Sequence, residues 1–457
     1  MALLVVLLLV VFIGGSSASF IWFMNQQQAR AGARHRSVAA MAAAEAGVHR
    51  ALFILETTSP DGGGPGRAWR PVAHTEPVRS GPLPGRFTLS LQDDTGGAIV
   101  ITSVGEVSGA TRRLRARVYL SSPALLAALY GASFVRLEKP PASTVILPYG
   151  EGIGDRPWIH IAAGRGIWFA SPDVSINEPS SDYEVDSGPV DAPAGSTVRP
   201  PRPGPVRLLL ARGAQLMLGP EQQRADVVQL RAAGVYVEGA VLRSEALPGP
   251  PEVDRLFYQT QAAANPANAG LNEAAGRYLG DRDLARKSDS LYTGRQFEQL
   301  QRYLKTGIQP SRLSGVIYVM GRVAVFEEQQ MHIADGALIA ESSVQVGGGA
   351  LLEITHSGAT RALPGLIVLD PGALVVARGA RLRAHGLIYA GRVIEIGEGA
   401  RVDIVGSVIG NDDSLSFRSY GASVVIRYDP AVLGTPGLRL SLDTSVVGWV
   451  AAWEELP

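Results

Sequence analysis

The chain has 457 residues, no cysteine, 53 glycines, and 42 basic against 42 acidic side chains. Balanced charge excludes the global field that would draw the protein onto nucleic acid or an anionic membrane, and the lack of cysteine excludes disulfides, thiolate catalysis and cysteine-ligated zinc. The length allows about three domains, and the glycine excess with few aromatics predicts a β-rich body of short strands and many turns.

The first segment, ALLVVLLLVVFIGGSSASFIWFM from Ala2 to Met24, carries no charge; as a helix it spans about 35 Å, enough to cross a bilayer. A cleaved signal peptide would need a basic flank ahead of the apolar run, which is missing here, and the run resumes at Phe20 to Met24 beyond the small residues SSAS. A retained anchor is therefore expected, with Ala2, Leu3, Leu4, Val5, Phe20 and Trp22 as its membrane and assembly surface. Gly14 with Ala18 and Gly15 with Ser19 form small-xxx-small pairs that permit close helix approach. Past Asn25 the helix formers of ARAGARHRSVAAMAAAEAGVHRALFILE extend the helix to about Glu56, giving a rod of about 80 Å. Its far end carries Ala44, Val48, Leu52 and Leu55 on one stripe, which predicts packing on a sheet.

Residues 58–85 are rich in Gly and Pro and read as a linker. Over 86–122, alternation of Phe87, Leu89 and Leu91, then Ile99 and Ile101, then Leu114, Ala116, Val118 and Leu120 predicts a small antiparallel sheet. Arg113, Arg115 and Arg117 fall on the other side of the last strand, a solvated face. From 123 the pattern becomes short strand-like stretches. Gly365, Gly386 and Gly406 open GLIVLD, GLIYAG and GSVIGN at nearly equal intervals. Units this short cannot bury their own apolar face, so a parallel β-helix-like solenoid is predicted over 123–250 and 314–428. Ile367, Leu387 and Val408 are expected to stack inward. A Pro-rich excursion covers 178–206, and a helical insertion covers 251–313, with Val253, Leu256, Phe257 and Thr260 on one stripe and Phe297, Leu300 and Leu304 on another. Residues 429–457 close the chain. The alternative body is an antiparallel sandwich.

MALLVVLLLVVF followed by AAAEAGVHRAL resembles the N-terminal domain of PilX-type pilus-assembly proteins, the minor pilins of type IV pili and related secretion pseudopili; Ala43 to Gly47 is the most specific part. The resemblance covers positions 1–57 and implies a fold led by a long helix. It implies other pilin or pseudopilin subunits and the lipid bilayer as partners through that helix, and an inner-membrane, single-pass protein whose ectodomain lies in the periplasm and joins a surface fibre. In that family a short basic leader ending in Gly is removed before assembly. Either the true start lies upstream of Met1, or this anchor is not processed. Major subunits of the family carry Glu at mature position five, where this chain has Val5, so a minor rather than a major subunit is implied.

Chemistry is scarce. The seven histidines form no HExxH, and there is no GxxxxGK loop and no GxSxG elbow. No cofactor, no metal and no catalytic residue is expected, and no surface ligand is identified. Asp412 and Asp413, in GNDDSLSFRSYG, are candidates for a turn or a cation site. Two other readings stay open: a bactofilin-like solenoid scaffold on the cytoplasmic membrane face, to which Arg30, Arg34 and Arg36 behind the span point, and a surface-anchored carbohydrate-active β-helix.

Overall fold

The computed structural model describes residues 2–56, 69–80, 83–94, 98–138, 143–148, 159–169, 206–212, 214–218, 223–224, 239–244, 247, 249–307, 312–358, 360–439 and 447–456. The fold is mainly β, with a long N-terminal apolar helix, a small antiparallel sheet and large parallel sheets. It divides into two compact units, residues 1–120 with 446–457, and residues 121–445.

In the first unit, α1 runs unbroken from Ala2–Glu56. It lies on a five-stranded antiparallel sheet made of β1 (His74–Ser80), β2 (Leu83–Asp93), β3 (Ile99–Val107), β4 (Ala110–Ser121) and, on the far edge beside β4, the C-terminal strand Val447–Leu456. The strict alternation of β3, buried at every odd residue from Ile99 to Val107, is the period of a sheet with one covered face. Two strands lie outside the sequence reading. β1 forms inside the stretch read as a linker, and the closing segment returns to this sheet as its edge strand. Neither has a local signal strong enough to stand out, because edge strands are specified by the neighbour they pair with.

The second unit is a stack of parallel coils. A typical coil holds a long strand, Arg381–Ala390, a tight turn, and a short strand, Ile394–Ile396; the next coil repeats this with Arg401–Gly410 and Phe417–Tyr420. Gly386 and Gly406 sit in register at the bend of the long strand. A Cβ on Gly406 would lie 2.0 Å from the Gly386 carbonyl oxygen, so the stack closes only if this corner stays bare. Leu366, Ile388 and Val408 form the inward row. This corrects the expected stack of Ile367, Leu387 and Val408. Leu366 pairs with Ile388 and Ile388 with Val408, so the first of these coils is longer than the second, and Ile367 and Leu387 turn to the outer face. They remain buried.

The order of coils in space differs from their order in the chain. The coil of Ala127–Gly131 and Phe134–Glu138 stacks directly on that of Arg401–Gly410 and Phe417–Tyr420. Strands Ile159–Ala163, Val206–Ala211 and Gly239–Ser244 follow outward from there. The two halves of the solenoid thus meet at a junction between segments far apart in sequence. Leu129 continues the row of Val408 there, Ser407 Oγ donates to the Ala127 carbonyl at 2.6 Å, and the Ser133 N–H donates to Ser416 Oγ at 2.8 Å.

Along the chain the two halves are separated by helices α2 (Arg255–Ala263), α3 (Ala269–Leu279), α4 (Arg282–Ala285) and α5 (Gly294–Lys305). Thr293 caps α5 in a reciprocal box with Gln296, and Phe297, Leu300 and Leu304 join the solenoid core. In α2 the expected stripe is displaced. Tyr258 and Ala262 are buried while Leu256 is 67% exposed, because the Asp254 side chain caps the helix and fixes its rotation with the Tyr258 hydroxyl turned to the Pro436 carbonyl.

Candidate functional site

The feature that sets this chain apart is α1, whose two halves meet different surroundings. In the second half, Ala39, Ala40, Ala43, Ala44, Val48, Ala51 and Leu55 are buried, and Leu52 packs at the margin of the same cluster. Against them stand Phe87, Leu89, Ile101, Leu114 and Ala116 of the sheet. The contact is close enough to exclude larger residues on either side. A Cβ on Gly105 of β3 would lie 2.1 Å from the Ala40 carbonyl oxygen, and one on Gly47 would lie 2.3 Å from Ser103 Oγ. The Ala-Ala-Glu-Ala-Gly run is therefore a strip of small side chains that lets helix and strand backbones touch, with Glu45 turned out to solvent.

Polar contacts flank this strip on both sides. Arg112, at the start of β4, donates through Nε and Nη2 to Ser37 Oγ at 2.9 and 2.6 Å, and through Nη1 to Glu455 Oε1 at 2.9 Å. Arg50 Nε lies 3.1 Å from both Glu76 oxygens, and His74 Nε2 lies 2.8 Å from Oε1. The His74 hydrogen bond, with Arg50, holds the Glu76 carboxyl below its usual range against the opposing effect of partial burial. Sequence reasoning missed Ser37, Glu76, Gly105 and the helix-facing role of Arg112. Such pairs lie 26 to 343 residues apart, and nothing local marks them. Arg113, Arg115 and Arg117 are exposed on the opposite face, where Arg117 pairs with Asp94.

In the first half the described large side chains are open: Phe12, Ile13, Phe20, Ile21, Trp22, Phe23 and Met24 are 41 to 75% exposed. Five of them are consecutive, so they point all round the helix rather than along one stripe, the pattern of a helix meant for an apolar medium. Ala2, Leu3, Leu4, Val5, Gly14, Gly15 and Ala18 lie in α1 by their backbone, but their side chains fall outside the described residues. Among the described helices α1 alone is long and apolar enough to cross a membrane, its qualifying window lying within Ser19–Glu56. That window is 44% buried, so part of its apolarity serves packing on the sheet.

The turn after Arg401–Gly410 holds Asp412 and Asp413. Asp412 Oδ1 accepts from the Ser414 N–H at 2.7 Å, Ser414 Oγ at 2.6 Å and the Leu415 N–H at 3.0 Å, and Oδ2 accepts from Arg392 Nε at 3.1 Å. Burial opposes its ionisation, yet these bonds together outweigh it and hold the carboxyl at about 2. Oδ1 of Asp412 is thus turned to its own turn, and Oδ2 to the turn of the preceding coil. Asp413 is exposed. Among the described residues no cluster of three or more His, Asp or Glu could hold a metal ion. His356 and His385 stack edge to face at 6.2 Å, and burial lowers the pKa of both.

No family model matches the chain, and no curated protein matches it. Among solved structures the chain is similar to the competence-associated pilin ComZ from Thermus thermophilus, with 15% identity over 92% of this chain and 97% of that one, at a TM-score of 0.23. A score of that size does not establish a common fold.

Proposed function

We propose that the protein is a membrane-anchored, pilin-like subunit of the minor pilin or pseudopilin kind, non-enzymatic, whose β-solenoid is carried outside the inner membrane and which joins other subunits of a type IV pilus or related fibre through α1. The observation that carries this reading is the division of one continuous 55-residue helix into a sheet-packed half and a half whose apolar side chains are exposed on all sides. Exposed apolar surface of that extent needs either lipid or the helices of neighbouring subunits. A helix that changes partner from bilayer to bundle while its far end stays fixed in a sheet can move a subunit from membrane to fibre without refolding it. The close approach at Gly105 and the Ser37–Arg112 and Arg50–Glu76 contacts hold that far end.

Orientation decides between this reading and a scaffold on the cytoplasmic face. A reporter active only in the periplasm, fused after Pro457, is expected to be active in cells. Activity of a cytoplasmic reporter alone would overturn the pilin-like reading and favour the scaffold, to which the basic residues behind the span already point.

A further inference from the structure

The solenoid carries a hollow on the outer face of its short-strand sheet. Three consecutive coils contribute strands Leu374–Val376, Ile394–Ile396 and Phe417–Tyr420, in register, so that Val375, Glu395 and Arg418 form one outward row. Two positions further along each coil stand Ala377, Gly397 and Tyr420. Because the first two of these have almost no side chain, the sheet is left hollow beside the tyrosine ring, over a volume of about 310 Å³ lined by Val375, Ala377, Glu395, Gly397, Arg418 and Tyr420.

The chemistry of this hollow is specific. Tyr420 is 38% exposed and forms an aromatic wall. The Arg418 guanidinium lies over that ring, 5.5 Å from its centroid. Its Nε and Nη2 are fixed on Glu138 Oε2 at 3.1 and 2.9 Å, which holds the plane in place; no described residue bonds to Nη1. No described residue pairs with the Glu395 carboxylate either. A pre-positioned donor, a free acceptor and an aromatic wall around a small trough match a ligand with an apolar face and hydroxyls at its rim. One carboxylate beside one half-neutralised guanidinium favours a neutral ligand over a polyanion. Successive coils are spaced by about 4.8 Å, close to the repeat of an extended chain of linked pyranose rings, so consecutive sugars would meet consecutive coils.

We propose that this hollow is a binding site for a neutral oligosaccharide, with a ring against Tyr420 and its hydroxyls bonded to Arg418 and Glu395. The site lies wholly in the solenoid and does not depend on how the membrane helix is used.

Binding is measured by calorimetry on the full chain in detergent micelles, with cellohexaose, maltohexaose and chitohexaose as probes and polygalacturonate as the anionic comparison. At least one neutral hexasaccharide is expected to bind saturably with a Kd below about 1 mM. Tyr420→Ala, Ala377→Trp, which fills the trough, and Glu395→Gln are each expected to weaken it tenfold or more with an unchanged melting temperature. Glu395→Gln alters a surface polar group without changing its size, and decides the matter if either of the others fails to fold. The proposal is overturned if none of the neutral probes binds, if only polygalacturonate binds, or if binding survives the folded variants undiminished.

Discussion

Val408 offers the most direct test of the solenoid, because it sits in the inward row at the coil that joins the two halves, between Ile388 on one side and Leu129 on the other. Its side chain is fully buried. Val408→Ala removes two methyl groups, worth about 1.6 kcal/mol of transfer free energy, and the cavity left in a row that cannot collapse along the stack raises the cost to about 2–3 kcal/mol. Val408→Asp places an unpaired carboxyl among apolar rungs and costs on the order of 4–5 kcal/mol or more, a large share of the stability of an ordinary domain. Hydrogen exchange on the full chain in micelles reads the effect coil by coil. Neighbouring coils supply each other's stability, so Val408→Asp is expected to strip protection from 127–131 and 159–163 as well as from 401–410, distant though these segments are along the chain. Val408→Ala should lower the same protection to a lesser degree, and Asp413→Ala, at an exposed turn, should change it by no more than about 0.5 kcal/mol. If 127–131 keeps full protection in Val408→Asp while 401–410 loses it, the two halves do not stack as described.

Two further outcomes follow from particular residues. Gly105→Leu forces a side chain into the Ala40 and Ala44 backbone, so α1 should lift from the sheet and trypsin should cut at Arg50 faster than in the parent; unchanged digestion would show that helix and strand are not in contact there. Asp412 has a folded-state pKa of about 2, below its unfolded value of about 3.9. Its contribution is therefore complete above the unfolded value and is lost as pH falls from about 4 towards 2, amounting to about 1–2 kcal/mol after allowance for screening at a turn. Asp412→Asn should flatten that part of the stability–pH curve, and a curve of unchanged slope would refute the assignment.

The sequence is most legible where a signal is repeated or long. Helix α1 follows from uninterrupted helix formers, and the coils from the spacing of Gly365, Gly386 and Gly406, since a bare corner recurs once per coil and leaves a period that can be counted. What escapes is pairing between distant segments. Strand β1 lies beside β2, and Val447–Leu456 beside β4, but the short alternating runs that form them would serve equally well on other edges. The stacking of 127–138 on 401–420 is hidden for the same reason: each coil presents the same two faces of backbone and the same apolar interior, so sequence periodicity tells how many coils there are and not which neighbours they choose. Partner choice is decided by a few side chains that match only once the coils are side by side. Ser407 with the Ala127 carbonyl, Ser416 with Ser133, and Arg418 with Glu138 do this at the junction. Arg418 is also the residue that borders the hollow beside Tyr420, so the contact that fixes the order of the coils fixes the donor offered to a ligand. The junction and the proposed site are thus coupled through one guanidinium, and a ligand that bonds to Arg418 would stabilise the stacking of the two halves.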